Sequence, residues 1–426
     1  MKNYLRYLLQ NKEVVKLLSL LLVIILGTLI RFYKFPQRIN YGPEQAMSLI
    51  VSGNYIREKP SLLGQRYFRE TSKGYTLFSG AIFNYSLVPL EYIFNHNIVP
   101  ITAYFTILNI LTGVILYFIV RKLINAKVAF FATLVFLFDP IMINHSLFLW
   151  NYNYLPLIFL VSLHLLYLFF SKKKIKYIFL LGILAGVGVS IQLLYIFPLF
   201  LLLVSVVFTE RKLSHFITFI AGSIIGNLPM VLFDLRHDFY HIKTAYVYFY
   251  ETILTGRGGG VMYYHILYLW IIFAIVGGYV LYLIFNKNIY LGYITIFSYI
   301  YLSITSPYVN LQKAIGMPEG LAAVDVYSAA QIIATDSESC GSFNVIEVID
   351  FDTRAHVLRY PLIFKYGKTP LGYINYKEVE CVYSLSEEKY NYNEADFWEI
   401  NEIKPFSVEK IASLNKNYAV FKLTHD

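Results

Sequence analysis

A carboxylate follows the first hydrophobic segment of the chain at a position where it could do chemistry. The apolar run ends near Ile30, and the chain then reaches Tyr41-Gly42-Pro43-Glu44-Gln45-Ala46. Partial desolvation beside a membrane favours uptake of a proton by Glu44, which suits this side chain to act as a general base. The alternative interpretation is an ordinary loop carboxylate that faces water.

The segment after Glu44 is rich in basic residues. Its cations are Arg57, Lys59, Arg66, Arg69 and Lys73. Arginine binds phosphate well through its fork of donors, so these side chains could hold a lipid phosphate. A solvated face that contacts lipid headgroups is an equally good interpretation.

Two later segments combine polar and aromatic side chains at the ends of apolar blocks. The first reads Trp150-Asn151-Tyr152-Asn153-Tyr154, and amides beside tryptophan suit a sugar, although aromatic residues at a span end also form interfacial belts. The second reads Asp234-Leu235-Arg236-His237-Asp238. Charged residues at a membrane boundary are costly unless they are paired, so this segment is a candidate functional site.

The composition indicates what must position these side chains. The chain has 426 residues, 57% of them hydrophobic, and a mean hydropathy of +0.54. Its apolar residues are gathered into blocks of bilayer length, which predicts a polytopic membrane protein. Lys and Arg number 36 against 27 acids, but they form short clusters between the blocks, which is typical of membrane anchoring rather than of nucleic-acid binding.

The apolar blocks predict about nine spans. They run over about 14–30, 98–120, 128–143, 155–170, 177–193, 194–208, 216–233, 264–285 and 289–304. The first block follows Lys2 and Arg6 and is predicted to be a retained signal anchor with its N-terminus inside. Tyr75 to Phe94 is predicted to be an interfacial or re-entrant helix, because only then do the later basic clusters share the side of the N-terminus.

The predicted fold is therefore an α-helical polytopic membrane protein with a small C-terminal soluble α/β domain. We expect a transmembrane domain over 1–316, with a large first outer loop over 31–97, and an extracytoplasmic domain over 317–426. Alternating apolar residues in the latter predict strands at Phe343 to Asp350, Val379 to Ser384 and Tyr418 to Leu423, and a helix at Val326 to Thr335. The two cysteines of the chain, Cys340 and Cys381, could form a disulfide or remain thiols.

In order and spacing, the polar segments resemble those of one enzyme family. The chain is similar to membrane glycosyltransferases of the dolichyl-phosphate-mannose protein mannosyltransferase and aminoarabinose transferase type, which have the C-type glycosyltransferase fold. The matching segments are Arg31-Phe32, the acid with Gln45-Ala46, Pro60-Ser61-Leu62-Leu63-Gly64, Trp150-Asn151 with Leu155-Pro156, Asp234-Leu235-Arg236-His237, and Asp352-Thr353-Arg354 with Arg359-Tyr360. This sequence departs from the family by having Glu44 where such enzymes usually have Asp.

The resemblance implies a hexosyl or pentosyl transferase of the plasma membrane that works on the extracytoplasmic side. It would move a sugar, with inversion, from polyprenyl phosphate to a hydroxyl or amine of a glycan, lipid or protein acceptor, as in cell-envelope or protein glycosylation. Membrane lipids are the other expected partners, and no nucleic-acid partner is expected. No cofactor is required, although Glu44 with Asp139 or Asp234 could bind a divalent metal.

The resemblance also assigns roles to the polar residues. Glu44 would be the catalytic base, Arg66, Arg69 and Arg236 would bind the donor phosphate, and Gln45, Trp150, Asn151 and His237 would bind the sugar or the acceptor. A transporter or lipid flippase is an alternative, but the polar residues concentrate outside the spans, which favours an enzyme. A catalytically degenerate transferase that acts as a scaffold is a further alternative.

Overall fold

The computed structural model describes residues 12–256, 262–350 and 352–425 of the chain. For Lys12, Phe68, Arg69, Glu210 and Ile253 it describes the backbone only. Lys2 and Arg6, which supported the predicted signal anchor, lie outside the described residues.

Helices account for most of the described elements. They are α1 (Lys12–Phe32), α2 (Phe35–Arg38), α3 (Pro43–Arg57), α4 (Ile82–Ile93), α5 (Ile98–Leu123), α6 (Ala126–Phe138), α7 (Pro140–His145), α8 (Leu155–Lys172), α9 (Ile175–Ile191), α10 (Ile196–Glu210), α11 (Leu213–Gly226), α12 (Leu228–Arg236), α13 (Tyr240–Phe249), α14 (Trp270–Lys287), α15 (Ile289–Ile304), α16 (Ala323–Asp336), α17 (His356–Tyr360) and α18 (Trp398–Asn401). The strands are β1 (Leu63–Glu70), β2 (Thr76–Gly80), β3 (Phe343–Glu347), β4 (Cys381–Glu387), β5 (Phe406–Ser413) and β6 (Tyr418–His425).

Several helices are long and apolar enough to cross a bilayer, so the chain is a multi-pass membrane protein. In the described part these are Glu13–Phe32, Ile98–Leu123, Asn151–Lys172 and Tyr263–Lys287, and the pair α11 and α12, bent by 83°, makes a fifth if it counts as one span. The apolar helices α6, α9 and α15 and the segment Leu193–Thr209 are shorter. The predicted number of nine spans therefore stays a prediction.

The sequence had predicted one interfacial or re-entrant helix for the segment Tyr75 to Phe94, but the structure has two elements there. Its first part forms β2, which pairs with β1 in an antiparallel hairpin, and its second part forms α4. A helix of 12 residues rises only about 18 Å, which is less than the hydrocarbon thickness, and this agrees with a segment that does not cross. The hairpin was missed because the charged residues of β1 obscure its alternation.

The described chain divides into two compact units. Of the described residues, the first unit comprises 12–33, 61–83 and 104–309, and the second comprises 34–60, 84–103 and 310–425. The C-terminal residues thus form a unit with residues 34–60 and 84–97 of the predicted first loop. The predicted domain boundary between residues 316 and 317 stays a prediction.

In the first unit, α9 and α11 pack closely through two pairs of glycines. Gly182 and Gly186 on α9 face Phe219 and Ser223 on α11, and a Cβ atom at either glycine would overlap the backbone of α11. Gly222 and Gly226 lie against the backbone of α9 in the same way. Two small residues four positions apart on each helix let the backbones approach, as is common between membrane helices.

We expect Gly222→Ala to destabilise the protein by about 1 to 3 kcal/mol, because its methyl group would push α9 and α11 apart. Gly277→Ala in α14 is the matched control, since a Cβ atom there would lie 3.3 Å from a side-chain carbon of Val135 and would not overlap backbone. The apparent melting temperature of the purified protein in detergent measures both effects. An equal melting temperature for the two variants would contradict the packing role of Gly222.

The second unit contains a four-stranded sheet with the order β3-β4-β6-β5. The pair β3 and β4 is parallel, and the other two pairs are antiparallel. The small C-terminal sheet domain is therefore confirmed, with β3, β4, β6 and α16 at the predicted positions, whereas β5 was not predicted. Cys340 and Cys381 form a disulfide that connects the start of β4 with the residue three positions before β3.

Glu347 ends β3 as a fully buried carboxyl group. Burial, together with the carboxylates of Asp350 and Asp352, raises the pKa of Glu347 well above its ordinary value. The folded chain therefore holds this proton more tightly than the unfolded chain does. As a result, the free energy of unfolding falls as pH rises from the ordinary carboxyl pKa of about 4.3 towards the raised pKa.

Glu347→Gln is expected to remove this decrease in the free energy of unfolding, because glutamine has a similar shape and carries no charge at any pH. In this variant, the free energy of opening β4 and β6 should rise by about 1 to 3 kcal/mol at pH 8 and should change little at pH 5. Hydrogen exchange of the strand amides, corrected for intrinsic rates, measures this opening. The exposed Glu394→Gln serves as the control, and an unchanged pH dependence in Glu347→Gln would contradict the prediction.

Candidate functional site

In the second unit, Glu44 lies in the first turn of α3. Pro43 is the first residue of this helix, a position where the N–H that proline lacks would have no partner within the helix. The Gly42 amide donates to Oε1 of Gln45 at 3.0 Å. Glu44 is partly exposed, whereas Gln45 is buried.

A buried polar cluster holds the middle of α3. Ser52 donates a hydrogen bond to Oε1 of Glu91, a fully buried residue of α4, and Oε2 of Glu91 lies 3.3 Å from Nδ1 of His96. The same His96 atom lies 3.3 Å from the hydroxyl of Tyr360 in α17. Burial raises the pKa of Glu91, and the hydrogen bonds from His96 and Ser52 oppose that rise. This cluster fixes the helix whose first turn presents Glu44.

Further contacts hold α3 and the residue Tyr41 that precedes it. The side chain of Asn84 donates to the Ser48 carbonyl at 2.9 Å, and the Tyr41 hydroxyl donates to the carbonyl of Val357 at 3.1 Å. Gly53 packs against the ring of Phe364. The sequence showed Glu91 only as an acid in an apolar segment, and its partners could not be predicted because they come from distant parts of the chain.

In the first unit, the predicted phosphate-binding cations lie on neighbouring elements. Arg66 is on β1, half-exposed, in an ion pair with Glu70 at 2.5 Å. Arg236 is exposed at the end of α12, which packs against β1. Arg69 is also on β1, but its side chain lies outside the described atoms. The structure thus brings the strand of Arg66 next to the helix of Arg236.

The segment after α12 is held by Asp234. This buried carboxylate accepts a hydrogen bond from the His241 amide at 2.7 Å and so connects the end of α12 with the start of α13. His237 is exposed, stacks on Phe233 with ring centroids 4.2 Å apart, and donates from Nδ1 to the Phe233 carbonyl at 2.8 Å. The acid is therefore structural, whereas Arg236 and His237 face away from the core.

Trp150 lies in an aromatic cluster. Its ring stacks on His145 at 5.7 Å with an angle of 11°, and it contacts Tyr264 at 4.8 Å. The Asn151 amide donates to the carbonyl of Ile191 at 2.7 Å, at the end of α9. These contacts give both residues a packing function, and their predicted role in binding a sugar or an acceptor stays a prediction.

The carboxylates named as metal candidates have other partners in the structure. Oδ1 of Asp139 accepts from the Met142 amide and from Nε1 of Trp270, each at 3.0 Å, and Asp234 is bound as described above. Among residues 12–256, 262–350 and 352–425, no group of three or more His, Cys, Asp or Glu side chains could hold a metal ion. That no cofactor is required stays a prediction.

The predicted site residues thus fall into sets within separate units. Glu44 and Gln45 lie together on α3 of the second unit, and the other predicted residues belong to the first. The sequence did not single out a cavity of the first unit that lies between the hairpin and the bend of α11 and α12. His241 and Asn227 line this cavity, and the only sequence signal for it was an asparagine in an apolar segment.

Comparison with known proteins identifies the type of this fold. Residues 82–232 match the family model described as dolichyl-phosphate-mannose-protein mannosyltransferase. This region includes Trp150 and Asn151 but not Glu44, Arg66, Arg69, Arg236 or His237. No curated protein matches the chain.

Two solved structures of ArnT from Cupriavidus metallidurans are similar to the chain. One is bound to undecaprenyl phosphate and has a TM-score of 0.61, and the other is in the apo state and has a TM-score of 0.58. In both, 11% of the residues are identical, and the likeness covers 94% of this chain and 97% of the other. The chain therefore has the fold of ArnT, and its predicted resemblance to the mannosyltransferase and aminoarabinose transferase type of membrane glycosyltransferase is confirmed.

Proposed function

We propose that the protein is an inverting glycosyltransferase that moves a sugar from polyprenyl phosphate to an acceptor hydroxyl or amine. The main support is its likeness, over 94% of the chain, to a protein bound to undecaprenyl phosphate. The match of residues 82–232 to a mannosyltransferase family model is independent support from the sequence. A lipid-linked donor reaches such a protein through the bilayer, which fits the long apolar helices.

Glu44 acts as the general base in this proposal. Its carboxylate takes the proton of the acceptor hydroxyl while the acceptor oxygen forms a bond to the anomeric carbon of the sugar. The bond between that carbon and the phosphate oxygen breaks, and polyprenyl phosphate leaves with the electron pair. Attack from the side opposite the phosphate inverts the configuration, and Glu44 later releases its proton to water.

The leaving phosphate gains negative charge during the reaction, so it requires cations or donors. Arg66, Arg69 and Arg236 are the proposed partners, because guanidinium groups bind phosphate through two parallel hydrogen bonds. The packing of α12 against β1 supports a shared role for Arg66 and Arg236. Both are accessible, so neither must leave a buried contact to bind a ligand.

The protein is proposed to work in the plasma membrane, with Glu44 and the C-terminal domain on the extracytoplasmic side. The basic clusters between later helices support this sidedness through the positive-inside rule. The acceptor is a glycan, a lipid or a protein of the cell envelope, and its class is set by the shape of the site.

Binding of undecaprenyl phosphate tests this function directly. Native mass spectrometry of the purified protein in nanodiscs should show one bound undecaprenyl phosphate, with about 10-fold weaker binding in Arg66→Gln and Arg236→Gln. Arg211→Gln, which changes an exposed arginine between α10 and α11, is the matched control. Absence of binding to the wild type, or equal affinities of all four proteins, would contradict the proposed donor site.

A further inference from the structure

The β1 and β2 hairpin carries Arg66, but the pairing of its two strands fixes this residue only weakly. Arg66 pairs with Phe78 across the hairpin. The register shifts once between Leu63 and Arg66 and again between Arg66 and Glu70. Such irregularities bend a strand and interrupt its ladder of hydrogen bonds, and a two-stranded hairpin is only marginally stable by itself. The position of Arg66 therefore depends on the elements that hold the hairpin from outside.

Helix α13 and the π-helical turn Tyr250–Leu254 that follows it hold the hairpin at several points. At the tip of the hairpin, Oε1 of the buried Glu251 accepts from the Ser72 amide at 2.9 Å and also from the Ser72 hydroxyl. At the start of β2, the Tyr240 hydroxyl accepts from the Thr76 amide at 3.1 Å. The tip and the second strand are thus bound to one continuous helical segment.

His241, the second residue of α13, makes the contact that bears most directly on Arg66. Nε2 of its ring donates to the Phe78 carbonyl at 3.0 Å, and Phe78 is the residue that pairs with Arg66. Paired residues of an antiparallel ladder lie about 5 Å apart, so a displacement of Phe78 would also displace Arg66. The His241 ring is buried, and this burial lowers its pKa, which keeps the ring neutral at pH 7.

The same histidine is bound to the helix that carries Arg236. Its backbone amide donates to Oδ1 of Asp234 at 2.7 Å. Asp234 is buried and lies two residues before Arg236 at the end of α12. His241 therefore has its ring bound to the hairpin and its backbone bound to the end of α12. One residue connects the two elements that carry Arg66 and Arg236.

The separation of two arginines matters when both bind one phosphate. A guanidinium group binds phosphate through N–H groups of fixed direction, so a small change in its position loses hydrogen bonds. A residue that only stabilises the fold would not affect a phosphate-bearing ligand more than a similar ligand without phosphate. A residue that sets the separation of the arginines would.

We propose that His241 is a positioning residue for the phosphate of the donor, which sets the separation of Arg66 and Arg236 without contacting the ligand. The inference rests on the proposed function, in which both arginines bind this phosphate. It adds a buried, neutral residue whose effect on binding is transmitted through the Phe78 carbonyl and the Asp234 carboxylate.

The test compares two lipids that differ only in the phosphate, undecaprenyl phosphate and undecaprenol. Native mass spectrometry measures their binding to the wild type, His241→Gln and His241→Asn in nanodiscs. Glutamine can place an amide donor where Nε2 lies, whereas asparagine is one methylene shorter and leaves the Phe78 carbonyl out of reach. We expect His241→Asn to weaken binding of undecaprenyl phosphate about 3- to 10-fold and binding of undecaprenol less than about 2-fold. His241→Gln should bind both lipids as the wild type does.

A double-mutant cycle separates positioning from a general loss of stability. Arg66→Gln is expected to weaken binding of undecaprenyl phosphate about 10-fold in the wild type but only about 2- to 3-fold in His241→Asn, because Arg66 is already displaced there. His215→Asn is the matched control, since it replaces a buried histidine of α11 whose ring packs against Phe169. It should leave the preference for undecaprenyl phosphate unchanged.

Tyr240→Phe is a milder change, because it removes only the hydroxyl that binds the Thr76 amide. It should lower the preference for undecaprenyl phosphate in the same direction, and it takes the place of His241→Asn in the cycle if that variant does not fold. Equal binding by His241→Gln and His241→Asn, equal weakening of both lipids, or additive effects in the cycle would overturn the positioning role. A wild type that binds undecaprenol as tightly as undecaprenyl phosphate would instead contradict the proposed function, so the two failures are distinguishable.

Discussion

Replacing Glu44 by glutamine is expected to reduce sugar transfer at least about 100-fold while the protein remains folded. Glutamine has nearly the same shape but cannot take a proton from the acceptor, and a general base typically contributes 100- to 10,000-fold in rate. Glu44 is partly exposed in the first turn of α3, where glutamine also fits in a helix. The rate of product formation with a labelled donor measures the effect.

Two further variants make this result specific. Glu58→Gln changes an exposed acid at the other end of α3 and should transfer at the wild-type rate. Glu44→Asp keeps a carboxylate but shortens the side chain by one methylene, so it should retain more activity than Glu44→Gln and less than the wild type. Full activity of Glu44→Gln would exclude Glu44 as the base.

Replacing Arg31 by methionine is expected to destabilise the protein by about 2 to 5 kcal/mol. Arg31 is fully buried at the end of α1 and makes hydrogen bonds that reach two other helices. Nε and Nη2 donate to Oδ1 of Asn109 on α5 at 3.2 and 2.9 Å, and Nη1 donates to the carbonyl of Leu137 on α6 at 2.8 Å. Methionine would leave these buried acceptors without their donors, and each costs about 1 to 3 kcal/mol.

The loss should appear as a lower apparent melting temperature and as less monodisperse protein after mild heating. Arg121→Met, at the exposed end of α5, is the control for removing an arginine. Arg31→Lys should also be unstable, because one ammonium group cannot reproduce the fork of donors that reaches both helices. If Arg31→Met melts at the wild-type temperature, this network contributes nothing to stability.

Local patterns predicted much of this fold. Hydropathy located the apolar helices, and alternation located β3, β4 and β6, because both depend on neighbouring residues along the chain. The β1 and β2 hairpin was missed because the charged residues of β1 obscure its alternation. Its further contacts come from distant parts of the chain, as in the hydrogen bond from the Thr76 amide to the Tyr240 hydroxyl at 3.1 Å. Those two residues lie 164 positions apart.

The environment of the site residues could not be predicted for the same reason. The residue type and position of Trp150 suggested a sugar platform, but they did not indicate its stacking on His145 or its contact with Tyr264. The sequence showed Glu91 as an acid in an apolar segment and did not indicate that Ser52 and His96 are its partners. Residue types suggested the chemistry, but the three-dimensional partners decide which side chains are available for it.

The most direct test is the reaction itself. Purified protein in proteoliposomes is supplied with undecaprenyl phosphate bearing a labelled sugar and with cell-envelope acceptors, and both products are identified. We predict that the wild type forms a labelled acceptor of inverted configuration together with an equal amount of undecaprenyl phosphate, and that Glu44→Gln does not. An intact labelled donor that is only moved from one leaflet to the other would contradict the account and indicate a flippase.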